Sequence, residues 1–174
     1  RRPWLVPLAV LALGVGTLLF ASLCPRRIPP ELRDYLVLSP SWGSDRGAIW
    51  LHTLDCFRSG GALRQLFGSG SGALARYDLT HRLFADSVVD SAHNEYLHYL
   101  LTSGVLGLAA YLTALCSGLR RGVRRAPALT AAVFGCALQA AVNIAQCATT
   151  PLLLMLLAVL CGGNDPCAEG GKQI

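Results

Sequence analysis

The sequence predicts an all-α, polytopic membrane protein with about four transmembrane helices and one helical loop outside the membrane. Three observations predict it. The chain of 174 residues is 53% hydrophobic and only 14% charged, against roughly 25% charged residues in soluble domains, and its mean hydropathy is +0.46. Four apolar runs stand at 4–24, 96–119, 126–146 and 149–163, and a span needs about 20 mostly apolar residues. Arginines gather beside two short flanks and nowhere form a basic face.

The first run, Trp4–Cys24, carries no charge and predicts a spanning helix. A signal peptide is the competing reading, with Arg1 and Arg2 before an apolar core and Ala21-Ser22 at its end. The run is too long for such a core, and no small residue stands just before Cys24 as lipoprotein processing requires. The chain opens on Arg1 almost directly into this run, and so reads as a segment of a longer protein.

Between the first and second spans lies a polar segment, 25–95, with eight arginines, eight acids and three of the four histidines. Arg1-Arg2 and Arg120, Arg121, Arg124 and Arg125 flank the spans. Short arginine-rich flanks stay cytoplasmic while a long loop crosses regardless of charge, so 25–95 is expected outside. The net charge of +5 does not indicate a nucleic-acid partner, since a single lysine, Lys172, and scattered arginines make no basic patch interleaved with aromatics.

Within that loop, Ser44 and Asp45 suit the start of an amphipathic helix. Ile49, Trp50, Thr53, Leu54 and Phe57 fall on one face and Asp45, His52 and Asp55 on the other. Arg46 is centred on the apolar stripe, where an unpaired charge is costly, so it calls for an anionic partner. A protein carboxylate, a lipid headgroup reached by snorkelling and a phosphate all qualify. The glycine-rich stretch Phe67–Ala73 lacks a following Lys-Ser/Thr and a strand-turn-helix frame, and reads as a flexible turn rather than a phosphate cradle. His81, Arg76 and Arg82 read as surface residues.

The stretch SAHNEYLH, Ser91–His98, invites a metal reading that geometry rejects. Zinc-protease histidines stand four apart, about 40° around a helix, whereas His93 and His98 are about 140° apart, and Asn94 takes the glutamate's position. What remains is a helix start capped by Ser91. His93, Leu97, Leu100, Gly104, Gly107 and Tyr111 then share one arc, with small residues inviting a neighbouring helix. His93 sits at its outer end, either a histidine hydrogen-bonded at an interface or a functional group.

The remaining runs complete the four helices. Seven cysteines, an odd number without paired spacing, argue against a disulfide framework and leave only a Cys24–Cys56 bridge open. No inverted repeat of broken helices points to a transporter fragment.

Taken together, S-D-R-G-A-I-W (Ser44–Trp50), F-G-S-G-S-G (Phe67–Gly72), A-H-N-E-Y-L-H-Y-L-L-T-S-G-V-L-G (Ala92–Gly107) and the closing stretch Leu138–Gly162 resemble the C-terminal part of the bacterial O-antigen ligase and polymerase family. The resemblance runs from about Ser44 to Gly163. It implies a partial GT-C type architecture and an inverting, metal-independent glycosyltransferase without cofactor. Such an enzyme passes a glycan from a polyprenyl diphosphate carrier, of the undecaprenyl type, to a sugar, lipid or protein acceptor. The expected setting is lipopolysaccharide and cell-envelope biosynthesis, at the outer face of the bacterial cytoplasmic membrane among its lipids. Carried onto this chain, the resemblance makes Arg46 the diphosphate-binding residue and His93 the catalytic histidine, acting as base or as diphosphate contact. Asn94 and Tyr96 become substrate-binding groups. The family's further helices and an additional arginine precede the region matched here, so upstream helices of a longer parent chain are expected partners. A non-catalytic membrane module binding lipid-linked glycans is the alternative reading.

Overall fold

The computed structural model describes residues 5–81, 88–143 and 149–162, with side chains from residue 12 onward. Its elements are α1 (Leu5–Leu23), a 3-10 turn (Pro25–Arg27), α2 (Pro30–Leu36), α3 (Trp42–Ser59), α4 (Ala62–Phe67), α5 (Ala73–His81), α6 (Glu95–Arg125), α7 (Pro127–Ala140) and α8 (Thr149–Gly162). The described residues contain no strand, as the all-α expectation requires. The chain forms two compact units, Arg1–Asp55 and Cys56–Ile174.

In the first unit, the turn and α2 follow α1 and pack back against it. Proline at the first helical position starts α2, since its fixed φ suits a helix and its missing N–H is one that a helix start leaves unpaired. Ser22 Oγ donates to Leu18 O at 2.8 Å and accepts from the N–H of Leu38 at 2.9 Å, fastening the chain after α2 to the end of α1. Trp42 Nε1 donates to Tyr35 O at 2.9 Å, and its ring stands 5.4 Å from that of Trp50.

The second unit is built around α6, with α4, α7 and α8 packed against it. Leu153, Leu157 and Leu160 of α8 recur at helical spacing and are buried with Leu115 of α6 and Val133 and Ala137 of α7. A Cβ on Gly118 would stand 2.6 Å from Leu157 Cδ2, so glycine lets α8 lie this close. Arg121 donates to Cys161 O at 2.8 Å, joining the ends of α6 and α8. The expected arginine loop between two helices is instead the last turns of α6, and Ala126 alone ends α6 and precedes Pro127 of α7.

The expected helices exist, but their lengths differ from the expected spans. Only Glu95–Arg125 among the described residues is both long and apolar enough to cross a membrane. The 14 residues of α7 and the 14 of α8 rise about 21 Å each, short of a hydrocarbon core of roughly 30 Å. The predicted third run reached residue 146, and 144–148 lie outside the described residues.

Within α6 the backbone breaks at Gly104 (φ 72°, ψ −174°), a conformation essentially restricted to glycine. The expected arc through Gly104, Gly107 and Tyr111 therefore does not continue as one regular helix. The glycine turn packs into the break: Ser69 N–H donates to Leu101 O at 2.8 Å and Gly70 N–H to Thr102 O at 3.1 Å. In an unbroken helix those carbonyls serve residues four further on. A Cβ at Gly68 would collide with the Thr102 carbonyl, and one at Gly104 with the Leu66 carbonyl and the Gly68 nitrogen. The stretch read as a flexible turn is thus a docked one. Arg76 holds it from α5, donating to Ser71 O at 3.1 Å and Ser69 O at 3.2 Å.

Candidate functional site

Among the described residues only three non-glycine residues have positive φ: Ser44 at 59°, Asp45 at 66° and His93 at 48°. Side chains in this region crowd the following carbonyl, at a cost of about 1–2 kcal/mol each. Two of the three immediately precede Arg46, and the third is His93 itself. Such outliers gather where the surrounding structure enforces a functional geometry.

Around Arg46, Gly43, Ser44 and Asp45 make consecutive left-handed steps inside the span of α3, so the right-handed helix begins at Arg46. Ser44 therefore does not cap it, because a capping residue adopts extended backbone. The Ala48 N–H donates to Pro40 O at 2.8 Å. A Cβ on Gly47 would run into the Ser39 carbonyl and stand 3.1 Å from Pro40 Cα, so glycine is required beside the arginine. Of the predicted apolar face, Ile49 and Thr53 are buried and Trp50, Leu54 and Phe57 half-buried; Cys56 is buried beside them, and on the predicted polar face Asp45 and Asp55 are exposed while His52 is half-buried. Arg46 is half-buried at the helix N-terminus, and no acid among the described residues of its unit pairs with it. Unpaired helix N–H groups and the helix dipole favour an anion at that end.

His93 lies before α6 rather than on it. Its N–H donates to Ser91 Oγ at 3.4 Å, and Asn94 is the cap: Oδ1 accepts from Leu97 N–H at 3.0 Å. The expected Ser91 cap is corrected to Asn94, and the helical angle between His93 and His98 no longer applies. No group of three His, Cys, Asp or Glu side chains converges among the described residues.

Behind His93 the chain turns inward. Tyr96 OH donates to Ala137 O at 2.7 Å, bonding the start of α6 to α7. Glu95 is 6% exposed, and its Oε1 has no hydrogen-bond partner. It lines a cavity of about 30 Å³ with Gln139, Asn143, Thr149 and Thr150. A glutamate in a first helical turn is ordinary, so nothing in the sequence singles out Glu95. Arg76, expected at the surface, is exposed but committed to the glycine turn. His81 is exposed and stacks on Tyr77 at 4.0 Å, and Arg82 lies outside the described residues.

His93, Asn94, Glu95 and Tyr96 thus lie at the start of α6 in the second unit, whereas Arg46 belongs to the first. Cys24 and Cys56 are free thiols, so the bridge left open by the sequence is not formed. Burial raises the Cys56 thiol above its ordinary pKa, with the Arg76 guanidinium acting in the opposite direction.

The family model described as O-antigen ligase matches residues 1–112. The match takes in the Arg46, glycine-turn and His93 motifs, and it stops before the closing stretch Leu138–Gly162. No curated protein and no solved structure matches the chain. The match covers more than half of the chain, which belongs to the O-antigen ligase family, a membrane-associated family of glycosyltransferase-like enzymes of polysaccharide biosynthesis.

Proposed function

We propose that this member of the O-antigen ligase family transfers a glycan from a polyprenyl diphosphate carrier to an acceptor hydroxyl at the outer face of the bacterial cytoplasmic membrane. The acceptor oxygen attacks the anomeric carbon and the bond from that carbon to the diphosphate oxygen breaks, with inversion. The carrier diphosphate leaves with the bonding electrons. Arg46 binds that leaving group, for which its planar fork and its place at a helix N-terminus are suited. Stabilising developing charge in this way is usually the largest catalytic term. His93 takes the acceptor's proton or donates a hydrogen bond to the diphosphate. Asn94, whose Oδ1 is occupied by the cap, offers its amide N–H groups to the sugar, and Tyr96 supports it through the remaining lone pair of its hydroxyl. No metal enters the reaction.

The observation that carries this reading is the placement of strain. Among the described residues, the three left-handed non-glycine residues fall beside Arg46 and at His93, the two residues the chemistry needs. The reading also has segment 25–95 outside the membrane, with the helices after it anchoring the site. The test is an assay in membranes carrying the full-length chain, with polyprenyl-diphosphate glycan as donor and EDTA present. Transfer of glycan off the carrier is expected. Intact donor after incubation, across sugar, lipid and protein acceptors, removes the proposal.

A further inference from the structure

Glu95 presents a problem the proposed chemistry does not solve. A carboxyl oxygen buried without a partner is costly, and among the described residues Oε1 finds no partner inside a cavity. Among the described residues, the cavity's other polar walls are the neutral amides and hydroxyls of Gln139, Asn143, Thr149 and Thr150. Amides and hydroxyls both donate and accept, and a carboxylate accepts strongly. That set matches a hydroxyl, which needs an acceptor for its proton and donors for its lone pairs. It matches a cation poorly, since hard cations gather several anionic oxygens and the described lining holds one carboxylate among neutral groups.

Size narrows the ligand. One water needs roughly 10–15 Å³ of such a cavity, so about 30 Å³ admits two water-sized groups. A hydroxymethyl substituent has two heavy atoms, while a whole sugar ring is far too large. The cavity is partly open, with Gln139 and Thr149 exposed at its rim, so a ring can stay outside while its substituent enters. Glu95 opens α6, two residues after His93, which precedes that helix.

We propose that this cavity is a saccharide subsite that takes one hydroxymethyl group of the acceptor sugar, with Glu95 accepting its hydrogen bond and Thr150 completing the wall. The assignment rests on the ligase reading for the word acceptor, but the binding itself is independent of transfer. It makes hexoses with a free 6-hydroxyl the preferred substrate class over 6-deoxy sugars.

The test measures binding of D-glucose, 6-deoxy-D-glucose, D-galactose and 6-deoxy-D-galactose to the full-length chain in detergent by saturation-transfer NMR. At least one hexose is expected to bind about ten-fold or more tightly than its 6-deoxy form, the scale of one hydrogen bond to a charged group. Glu95→Gln and Thr150→Val are each expected to erase that ratio while leaving 6-deoxy binding unchanged. If Glu95→Gln fails to fold, Thr150→Val decides alone. Equal binding of hexose and 6-deoxy sugar, no binding of any of the four, or an unchanged ratio in a folded variant overturns the subsite. So does hexose binding that vanishes when sodium is replaced by choline, which would make the cavity a cation site. Transfer measured on the same preparation separates the two ideas. Lost transfer with intact 6-hydroxyl selectivity defeats the ligase reading alone, and intact transfer without selectivity defeats the subsite alone.

Discussion

The N–H of Ser69 donates to the carbonyl of Leu101 at 2.8 Å, across 32 residues of sequence, and so fastens the glycine turn into the broken helix α6. In a helix that meets a membrane, a backbone break is tolerated only where other groups satisfy the exposed carbonyls. Here the turn does so, and the half of α6 that it braces begins immediately after His93 and Asn94. The position of the histidine thus depends on a turn that carries no reactive group.

Replacing Gly104 by alanine tests that bracing. Its φ of 72° and ψ of −174° disfavour any Cβ, and the added atom meets the Leu66 carbonyl and the Gly68 nitrogen. Backbone strain of this kind is worth about 1–3 kcal/mol before any clash, so a loss above roughly 2 kcal/mol is expected in chemical unfolding in detergent. Gly70 makes the control. It has φ 80° but open space around it, so Gly70→Ala is expected to lose only about 1–2 kcal/mol.

Strain at the site predicts a trade between stability and activity. His93→Gly relieves a left-handed side chain and is expected to raise stability by about 1 kcal/mol while abolishing transfer. Ser44→Gly should likewise stabilise, with transfer kept because Arg46 remains. Destabilisation by both variants in thermal unfolding would mean that these backbones are not strained.

Asn94 separates structure from recognition. Aspartate caps helices as well as asparagine, so Asn94→Asp is expected to hold stability within about 0.5 kcal/mol, whereas Asn94→Ala loses about 0.5–2 kcal/mol. Transfer should fall in both, because both remove the amide donor. Full activity in Asn94→Asp would confine Asn94 to capping.

Much of this was legible in the sequence, and each failure has its own physical cause. Helical periodicity identified the buried face of α3 and the extent of α8, since burial repeats every turn. Ser44 and Ser91 looked like caps because composition reports what a residue favours; left-handed backbone overrides that preference at Ser44, and left-handed His93 delays α6 until Asn94 caps it. The Phe67–Gly72 turn looked loose because its partners, Leu101 and Thr102, are distant in sequence. Gly104 in an apolar run was a visible hint, yet close packing and a backbone break both call for glycine there. The arginines at 120–125 read by type as a loop at a membrane edge, but nothing in them distinguishes a loop from the last turns of a helix.

Cys56 offers a pH test outside the candidate span. Burial raises its thiol pKa, against the Arg76 guanidinium, so the reactive thiolate is scarcer than in a free cysteine at the same pH. Maleimide labelling is expected to be slow near pH 8 and to keep rising above the pH at which a small thiol levels off. The sign carries to stability. The preference for the protonated thiol stabilises the fold below the ordinary thiol pKa of about 8.5 and is lost as pH climbs through the raised value.

Arg46 and His93 are the proposed carriers of metal-free glycan transfer. The direct measurement is transfer from a polyprenyl-diphosphate glycan by full-length wild type, Arg46→Ala and His93→Ala, at matched protein levels in membranes with EDTA. Losing one electrostatic donor typically lowers turnover about 10²–10³-fold, and each variant is expected to fall at least that far while wild type is unaffected by chelation. Wild-type rates in both variants would contradict the account and return the two residues to structural roles.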